Sequence, residues 1–221
     1  MLLYYITDRT QFPGGEASRT TLLLNKIAEA ARCGIDHIQL RERDLPARDL
    51  ECLAHEAANA VRSNSLRSSN GEPATRLLIN SRADVALAVG ADGVHLRADD
   101  ITIPAARRIW AEAVPRPAGA ENFPIVSISC HSDADVGRAA AEGADLAIFA
   151  PVFEKPGSPE IPAAGLEALR RACRYDIPVL ALGGVTLETI PACLNCGAAG
   201  IAAIRLFQEN NIGDLIARLR P

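Results

Sequence analysis

Short apolar runs alternate along the chain with longer segments of helical periodicity. Eight of these runs are nearly continuous in apolar character, a pattern typical of parallel strands buried on both faces. They are Leu2–Thr7, His37–Leu40, Arg76–Ile79, Gly93–Leu96, Ile125–Ile128, Leu146–Ala150, Pro178–Leu182 and Gly200–Ile204. The helical segments include Thr21–Cys33, Leu50–Ser63 and Asp133–Glu142. The pattern therefore predicts strands and helices that follow one another in turn.

A glycine motif marks the end of every second predicted helix. Its four copies are Gly34-Ile35-Asp36, Gly90-Ala91-Asp92, Gly143-Ala144-Asp145 and Gly197-Ala198-Ala199. Glycine often ends a helix because it adopts a left-handed conformation without strain. The copies lie about 54 residues apart, which fits two strand–helix units, and four such pairs make the eight units that close a parallel barrel. We therefore predict an α/β protein, one (β/α)8 TIM-barrel domain over residues 1–221, with its active site at the carboxyl ends of the strands.

Composition and charge exclude several classes of protein. The 221 residues carry a net charge of −4, so nucleic acid is not expected as the main partner. No apolar stretch is long enough to cross a membrane, and no basic leader precedes the first strand, so we expect a cytoplasmic protein. The six cysteines show no disulfide spacing and are expected to be reduced thiols.

Two arginines follow the second predicted strand. Alternation along this segment places Gln39, Arg41 and Arg43 on one face. Because guanidinium groups match the oxygens of phosphate, these residues are candidates for binding a phosphorylated ligand. The alternative is a surface turn in which the arginines pair with Glu42 and Asp44.

A histidine stands directly after the fifth predicted strand. His131 lies among hydroxyl side chains, and imidazole titrates near neutral pH, as a general acid or base requires. The alternative is that His131 has only a structural role, as the residue before the next helix. Asn80, at the end of the third strand, and Ser129 are candidates for binding substrate at the same face. His95, within the fourth strand, is expected to be a buried histidine with satisfied hydrogen bonds.

Two carboxylates follow the fourth strand. Asp99 and Asp100 could hold a divalent cation beside a diphosphate, because hard cations prefer oxygen ligands. They could equally cap the helix that begins near Ile103. The sequence leaves both roles open.

Paired glycines follow the seventh strand. Gly183 and Gly184 stand where backbone N–H groups commonly bind phosphate in TIM barrels, and a helix start after the eighth strand commonly completes that site. Ile204 and Arg205 occupy this second position, and Arg205 adds a positive charge. The four residues therefore predict a phosphate-binding site.

Several segments together resemble one superfamily, which contains the thiamine phosphate synthases and the thiazole tautomerases. The matching segments are Gln39–Arg43, Leu78–Ala86, Gly90–Leu96, Ile128–Ser132, Gly143–Asp145, Ala150–Phe153 and Ala181–Val185. They occur in the family's order and extend over nearly the whole chain. The resemblance implies a barrel enzyme of thiamine biosynthesis, a phosphorylated thiazole as its small-molecule partner, and a homodimer.

The two activities of this superfamily place different demands on the site. The resemblance implies that a synthase joins a pyrimidine diphosphate to a thiazole phosphate and releases pyrophosphate, with magnesium held by two aspartates. Asp100 matches one of them, but Ser81 stands in place of the other. Phe153–Ser158 lacks the Thr-x-Thr-Lys pattern of the synthases, and Arg205 replaces a serine usual in both branches.

The leading interpretation is a tautomerase-type proton transfer that aromatises a carboxylated thiazole phosphate and needs no cofactor. The resemblance gives His131 the acid/base role, and Arg41 and Arg43 would receive the substrate carboxylate. The phosphate would be held by Gly183, Gly184, Ile204 and Arg205. One alternative is a thiamine phosphate synthase with Mg²⁺ at Asp100. The other is a protein that binds thiamine precursors without turnover.

Overall fold

Eight parallel strands in the described part of the chain form a closed barrel and follow the order of the sequence. The computed structural model describes residues 1–67, 71, 74–113, 124–154 and 162–220. The strands are β1 (Leu2–Ile6), β2 (His37–Leu40), β3 (Arg76–Asn80), β4 (Gly93–Leu96), β5 (Ile125–Cys130), β6 (Leu146–Phe149), β7 (Val179–Ala181) and β8 (Gly200–Ala203). The predicted α/β class and the TIM-barrel fold are confirmed.

Helices lie between the strands and after the last one. They are α1 (Glu16–Arg32), α2 (Ala47–Asn64), α3 (Ala83–Ala88), α4 (Ile103–Ala113), α5 (Asp133–Ala141), α6 (Gly165–Ala172), α7 (Ile190–Asn195), α8 (Arg205–Gln208) and α9 (Ile212–Leu219). A turn of 3-10 helix covers Arg9–Gln11. Within the described residues, no helix combines the length and apolar character needed to span a bilayer.

The described residues divide into two compact units. The first unit comprises Met1–Asp92 with Ala203–Pro221, and the second comprises Gly93–Ala202. The expectation that residues 1–221 form one domain stays a prediction.

In the first unit, β1 pairs with β2 and β2 pairs with β3, both in parallel. Tyr4 lies opposite His37 in this register, and their rings stack with centroids 5.7 Å apart. Tyr5, on the other face of β1, meets the edge of Phe207 from α8 at 5.9 Å. The apolar faces of α1 and α2 are buried and the two helices pack together, as the helical periodicity predicts.

In the second unit, β4 to β8 pair in sequence, and the helices cover an apolar cluster. Cys193 and Cys196 both lie in this cluster, where their side chains are buried. Burial raises the pKa of Cys193 to about 11 and that of Cys130 to about 12, which leaves both as unreactive thiols near neutral pH. All six cysteines are free.

The repeated glycine motif forms the junctions that its spacing predicts. The four glycines have positive φ angles of 83°, 62°, 80° and 97° at Gly34, Gly90, Gly143 and Gly197. Each stands two residues beyond the last residue of its helix, where the left-handed conformation lets the chain turn toward the next strand.

The aspartate of the motif joins neighbouring strands at their amino ends. Asp92 Oδ2 accepts the Leu77 N–H at 2.8 Å, and Asp145 Oδ2 accepts the Val126 N–H at 2.7 Å. Asp36 does the same for Leu3 at 2.7 Å. Each carboxylate also pairs with an arginine: Arg220 with Asp36, Arg76 with Asp92 and Arg107 with Asp145. The fourth copy has Ala199 here, and only the backbone bond from its N–H to Val179 O remains in that position.

We predict that Asp145→Ala destabilises the protein by about 1–3 kcal/mol, because it removes the charged acceptor of a strand N–H. Asp145→Asn keeps an acceptor oxygen and should lose less. Urea unfolding measures both. The control is Glu167→Ala, which breaks an exposed ion pair with Arg170 and should cost about 0.5 kcal/mol or less. Equal losses for the alanine variants at 145 and 167 would contradict a bridging role.

Candidate active site

A buried carboxylate organises the carboxyl ends of β1 and β2 in the first unit. Glu42 is 5% exposed, and its Oε1 accepts the Thr7 hydroxyl at 2.6 Å. Its Oε2 accepts the backbone N–H of Arg9 at 3.0 Å and the Arg9 guanidinium at 3.2 Å. Burial raises the pKa of Glu42, and the hydrogen bonds from Thr7 and Arg9 oppose that rise.

Arg9 extends this network toward the surface. Arg9 is 3% exposed, and its guanidinium makes two hydrogen bonds with the carboxylate of Asp44, at 2.7 and 2.8 Å. It also pairs with Glu16 at the start of α1. The Asp44 contact raises the pKa of Arg9, while the same contact lowers the pKa of Asp44. Arg9 thus ties the loops after β1 and β2 to α1.

The network also holds the backbone of the Arg-Glu-Arg segment. The Arg41 N–H donates to Thr7 Oγ1 at 2.9 Å, and Thr7 in turn donates to Glu42. Arg41 is half-buried and Arg43 is exposed. Glu42 and Asp44 both pair with Arg9, which the ion-paired turn offered as an alternative did not include. Sequence reasoning passed over Arg9, although an arginine after β1 was visible as a signal.

A chain of amide hydrogen bonds crosses from β2 to β3. Gln39 is buried, and its Nε2 donates to Asn80 Oδ1 at 2.8 Å, while Asn80 Nδ2 donates to Ser81 Oγ at 2.9 Å. Gln39 Oε1 is buried without a hydrogen-bond partner among the described residues. A buried acceptor of this kind calls for a donor from a ligand or a water molecule. The structure therefore brings the predicted residues Gln39 and Asn80 together.

Ser81 has an uncommon backbone conformation. Its φ is 62°, and the Arg82 N–H bonds back to Asn80 O at 2.7 Å, which makes a tight γ-turn directly after β3. Such turns with positive φ are rare and strained, and strain of this kind clusters at functional sites. The residue that stands where the resemblance leads us to expect an aspartate thus lies in a strained turn directly after β3.

In the second unit, β4 and β5 carry a buried histidine between two serines. His95 Nδ1 lies 2.9 Å from Ser127 Oγ, and its Nε2 lies 2.9 Å from Ser129 Oγ. His95 is 3% exposed. The expectation of a satisfied barrel histidine is confirmed, and the predicted substrate-binding Ser129 is its partner.

His131 follows β5 directly and is exposed. Its ring Nδ1 lies 2.7 Å from Ala150 O. Because a carbonyl only accepts, Nδ1 must carry the proton, and in the neutral ring Nε2 then has the lone pair that a general base needs. Its backbone N–H donates to Asp135, which forms a capping box with Ser132 at the start of α5. His131 therefore has the position expected of a residue before a helix, and an oriented imidazole as well.

The predicted phosphate-binding residues follow β7 and β8. Gly183 and Gly184, in the second unit, have φ angles of 95° and 65°. A Cβ at Gly184 would lie 2.6 Å from Glu154 O, so this glycine also permits close packing on the loop after β6. Ile204 and Arg205, in the first unit, stand at the start of α8, as predicted. Residues 155–161 of the loop after β6 lie outside the described residues.

Asp99 and Asp100 follow β4 and contact Arg97. Asp100 accepts the Arg97 N–H at 2.7 Å and the Arg97 guanidinium at 3.2 Å, and Asp99 lies 3.4 Å from the same guanidinium. The hydrogen bond that Arg97 donates to Asp100 raises the pKa of Arg97. Across the described residues, no cluster of three or more His, Cys, Asp or Glu side chains could hold a metal ion without other ligands.

The chain matches one family of known proteins over most of its length. The family model described as "Thiamine monophosphate synthase" matches residues 3–207. The chain belongs to this family. The superfamily resemblance of the sequence is thereby confirmed, and thiamine biosynthesis is its setting.

Relatives extend the match over most of the chain. A thiamine-phosphate synthase of Methanoculleus marisnigri is 37% identical, with 99% of this chain and 92% of that protein covered. A thiamine-phosphate synthase of Roseiflexus is 36% identical, with 92% and 76% covered. The solved thiamine phosphate pyrophosphorylase of Pyrococcus furiosus is 28% identical with a TM-score of 0.76, and covers 99% of this chain and 93% of its own.

We predict that Glu42→Ala destabilises the protein by about 3–5 kcal/mol, because it leaves Arg9 buried without its buried partner. Asp44→Ala is a matched control, since it removes an exposed partner of the same arginine and should cost about 1 kcal/mol or less. Unfolding in urea gives both values. Similar losses for the two variants would show that Glu42 is not the anchor of this network.

Proposed function

We propose that this chain acts on a phosphorylated thiazole and is a thiamine phosphate synthase. The reaction joins a pyrimidine diphosphate to a thiazole phosphate and releases pyrophosphate. The observation that carries this proposal is the 37% identity to a protein of that name over 99% of the chain. It favours the synthase over the tautomerase that the sequence features alone suggest.

The strand ends of each unit offer groups suited to anionic substrates. In the first unit, Arg41 and Arg43 follow β2 and would bind phosphoryl oxygens through their guanidinium groups. In the second unit, the backbone of Gly183 and Gly184 would approach a phosphate without interference from a Cβ. Gln39, with its open acceptor, would receive an N–H or O–H of the substrate.

The proposed synthase reaction includes Mg²⁺, which would be bound jointly by carboxylates of the protein and by the substrate. Mg²⁺ is usually bound by one or two carboxylates together with substrate phosphates. Asp99 and Asp100 fit that partial role, since they lie side by side and Asp100 already takes part in a polar network with Arg97. Bound there, the ion would neutralise charge on the departing diphosphate.

The test supplies the purified protein with both substrates and Mg²⁺ and follows thiamine phosphate and pyrophosphate together. We expect the two products in equal amounts. Ser81→Asp should raise the turnover and lower the Mg²⁺ concentration needed for half-maximal rate, because it adds a carboxylate after β3. Tight binding of both substrates without either product would instead support a binding protein.

A second candidate is tautomerase-type proton transfer on a carboxylated thiazole phosphate. His131 favours it, because its Nδ1 is held by Ala150 O and its Nε2 is left to exchange protons with a ligand. Ser81 favours it too, because a proton transfer makes no demand for a second metal carboxylate. Arg41 and Arg43 would then bind the substrate carboxylate.

We predict that His131→Asn lowers kcat for aromatisation by about 10²–10⁴-fold, the usual contribution of a positioned general base. Binding of the phosphate group should change little. The same variant should have a much smaller effect on thiamine phosphate formation. Aromatisation can be followed by ultraviolet absorbance. If the wild type forms only thiamine phosphate and does not aromatise the carboxylated substrate, this second candidate is wrong.

A further inference from the structure

The His95–Ser127–Ser129 group is a hydrogen-bonded chain that runs from the interior of the barrel wall toward the end of β5. His95 and Ser127 are register partners on β4 and β5. Ser127 is fully buried, whereas Ser129 is half-buried and stands one residue before the end of its strand. Cys130, on the other face of β5, packs in the helix-covered apolar cluster.

The tautomer of His95 determines whether the Ser129 hydroxyl can donate a hydrogen bond to a ligand or can only accept one. A neutral imidazole has one N–H, and each serine hydroxyl can donate one proton or accept. If Nε2 carries the proton, it donates to Ser129 Oγ, and the Ser129 proton is free to point to a ligand. If Nδ1 carries it, Ser129 must give its own proton to Nε2 and can offer a ligand only an acceptor.

An anionic oxygen accepts hydrogen bonds and donates none. A substrate that carries phosphoryl groups is therefore served only by the first arrangement. In it, Ser127 donates to Nδ1, Nε2 donates to Ser129, and Ser129 donates outward. Hydrogen bonds aligned in this way polarise and strengthen one another.

We propose that His95 is a positioning residue that stays neutral with its proton on Nε2 and so makes Ser129 a donor to an anionic phosphoryl oxygen. This inference rests on the proposed function only in taking the ligand to be phosphorylated. His95 itself touches no reacting atom. Its effect on catalysis passes through the Ser129 hydroxyl.

Nitrogen NMR of the histidine-labelled protein tests the tautomer without any assay of activity. We expect the His95 signals of a protonated Nε2 and an unprotonated Nδ1. Ser127→Ala removes the donor to Nδ1 and should shift the population toward the other tautomer. A wild-type spectrum with the proton on Nδ1, or a doubly protonated ring, would overturn the proposal whatever reaction the protein performs.

Two substitutions at His95 separate positioning from simple packing. The side-chain amide of His95→Gln can reach the place of Nε2 and donate to Ser129, whereas that of His95→Asn reaches only the place of Nδ1. Inorganic pyrophosphate is the binding probe, measured by calorimetry. We expect His95→Asn and Ser129→Ala each to weaken its binding about 10- to 100-fold, as for a lost hydrogen bond to a charged group. His95→Gln should retain several-fold more affinity than His95→Asn.

The double variant His95→Asn, Ser129→Ala completes the test. If His95 acts only through Ser129, the double variant should bind pyrophosphate no more weakly than Ser129→Ala alone. Additive losses, or equal losses for the glutamine and asparagine variants, would overturn the positioning role. Thermal unfolding of each variant identifies any that fail to fold. The proposed function fails separately, if the wild type binds pyrophosphate and shows the expected tautomer but turns over no thiazole substrate.

Discussion

The contact between an aspartate carboxylate and the N–H of the neighbouring strand fixes how the strands of this barrel line up. Parallel strands have evenly spaced hydrogen bonds, so register is selected by the buried side-chain pattern and by local contacts at the strand ends. Asp92 binds the amino end of β3 through Leu77, and Asp145 binds that of β5 through Val126. A glycine with positive φ, two residues before each aspartate, turns the chain toward the strand that follows. The motif that repeats along the chain is therefore the device that sets register at one end of the barrel wall.

Strand register also determines which side chains meet at the carboxyl ends. Within the second unit, the register that pairs Val94 with Val126 also brings His95 opposite Ser127 and within reach of Ser129. Within the first unit, the pairing of β2 with β3 places Gln39 beside Asn80. A shift by one residue would turn these polar groups to the helix-covered face, because side chains alternate along a strand. The register of these two strand pairs thus decides which polar side chains meet at their carboxyl ends.

Local patterns in the sequence predicted most of the fold, because buried parallel strands and glycine junctions each depend on residues that lie close together along the chain. The eight strand positions and the helix start at Arg205 followed from such patterns. The Arg9–Glu42 pair did not, because its partners are 33 residues apart and nothing local shows that Thr7 and Arg9 turn toward Glu42. Helix α1 begins at Glu16, ahead of the predicted Thr21. The sequence did not indicate this earlier start, because the first turn of the helix is polar and lacks apolar periodicity. The orientation of His131 also required the structure, since its ring contacts Ala150 on the neighbouring strand end.

Within the thiamine monophosphate synthase family, a few side chains distinguish the two candidate reactions. Ser81 distinguishes them most directly, because it offers no carboxylate to a metal ion. Positive φ is several-fold more common for asparagine and aspartate than for most residues other than glycine, because their short polar side chains can bond locally. Ser81 nevertheless holds a φ of 62° in its γ-turn. The backbone after β3 therefore keeps a shape that suits an aspartate while the side chain offers only a hydroxyl. A serine here supplies no carboxylate to a metal ion, and its hydroxyl accepts a hydrogen bond from the Asn80 side-chain amide. In the proposed synthase reaction, Ser81 would therefore affect metal binding, whereas the arginines after β2 and the glycines after β7 would still be present to bind phosphoryl groups.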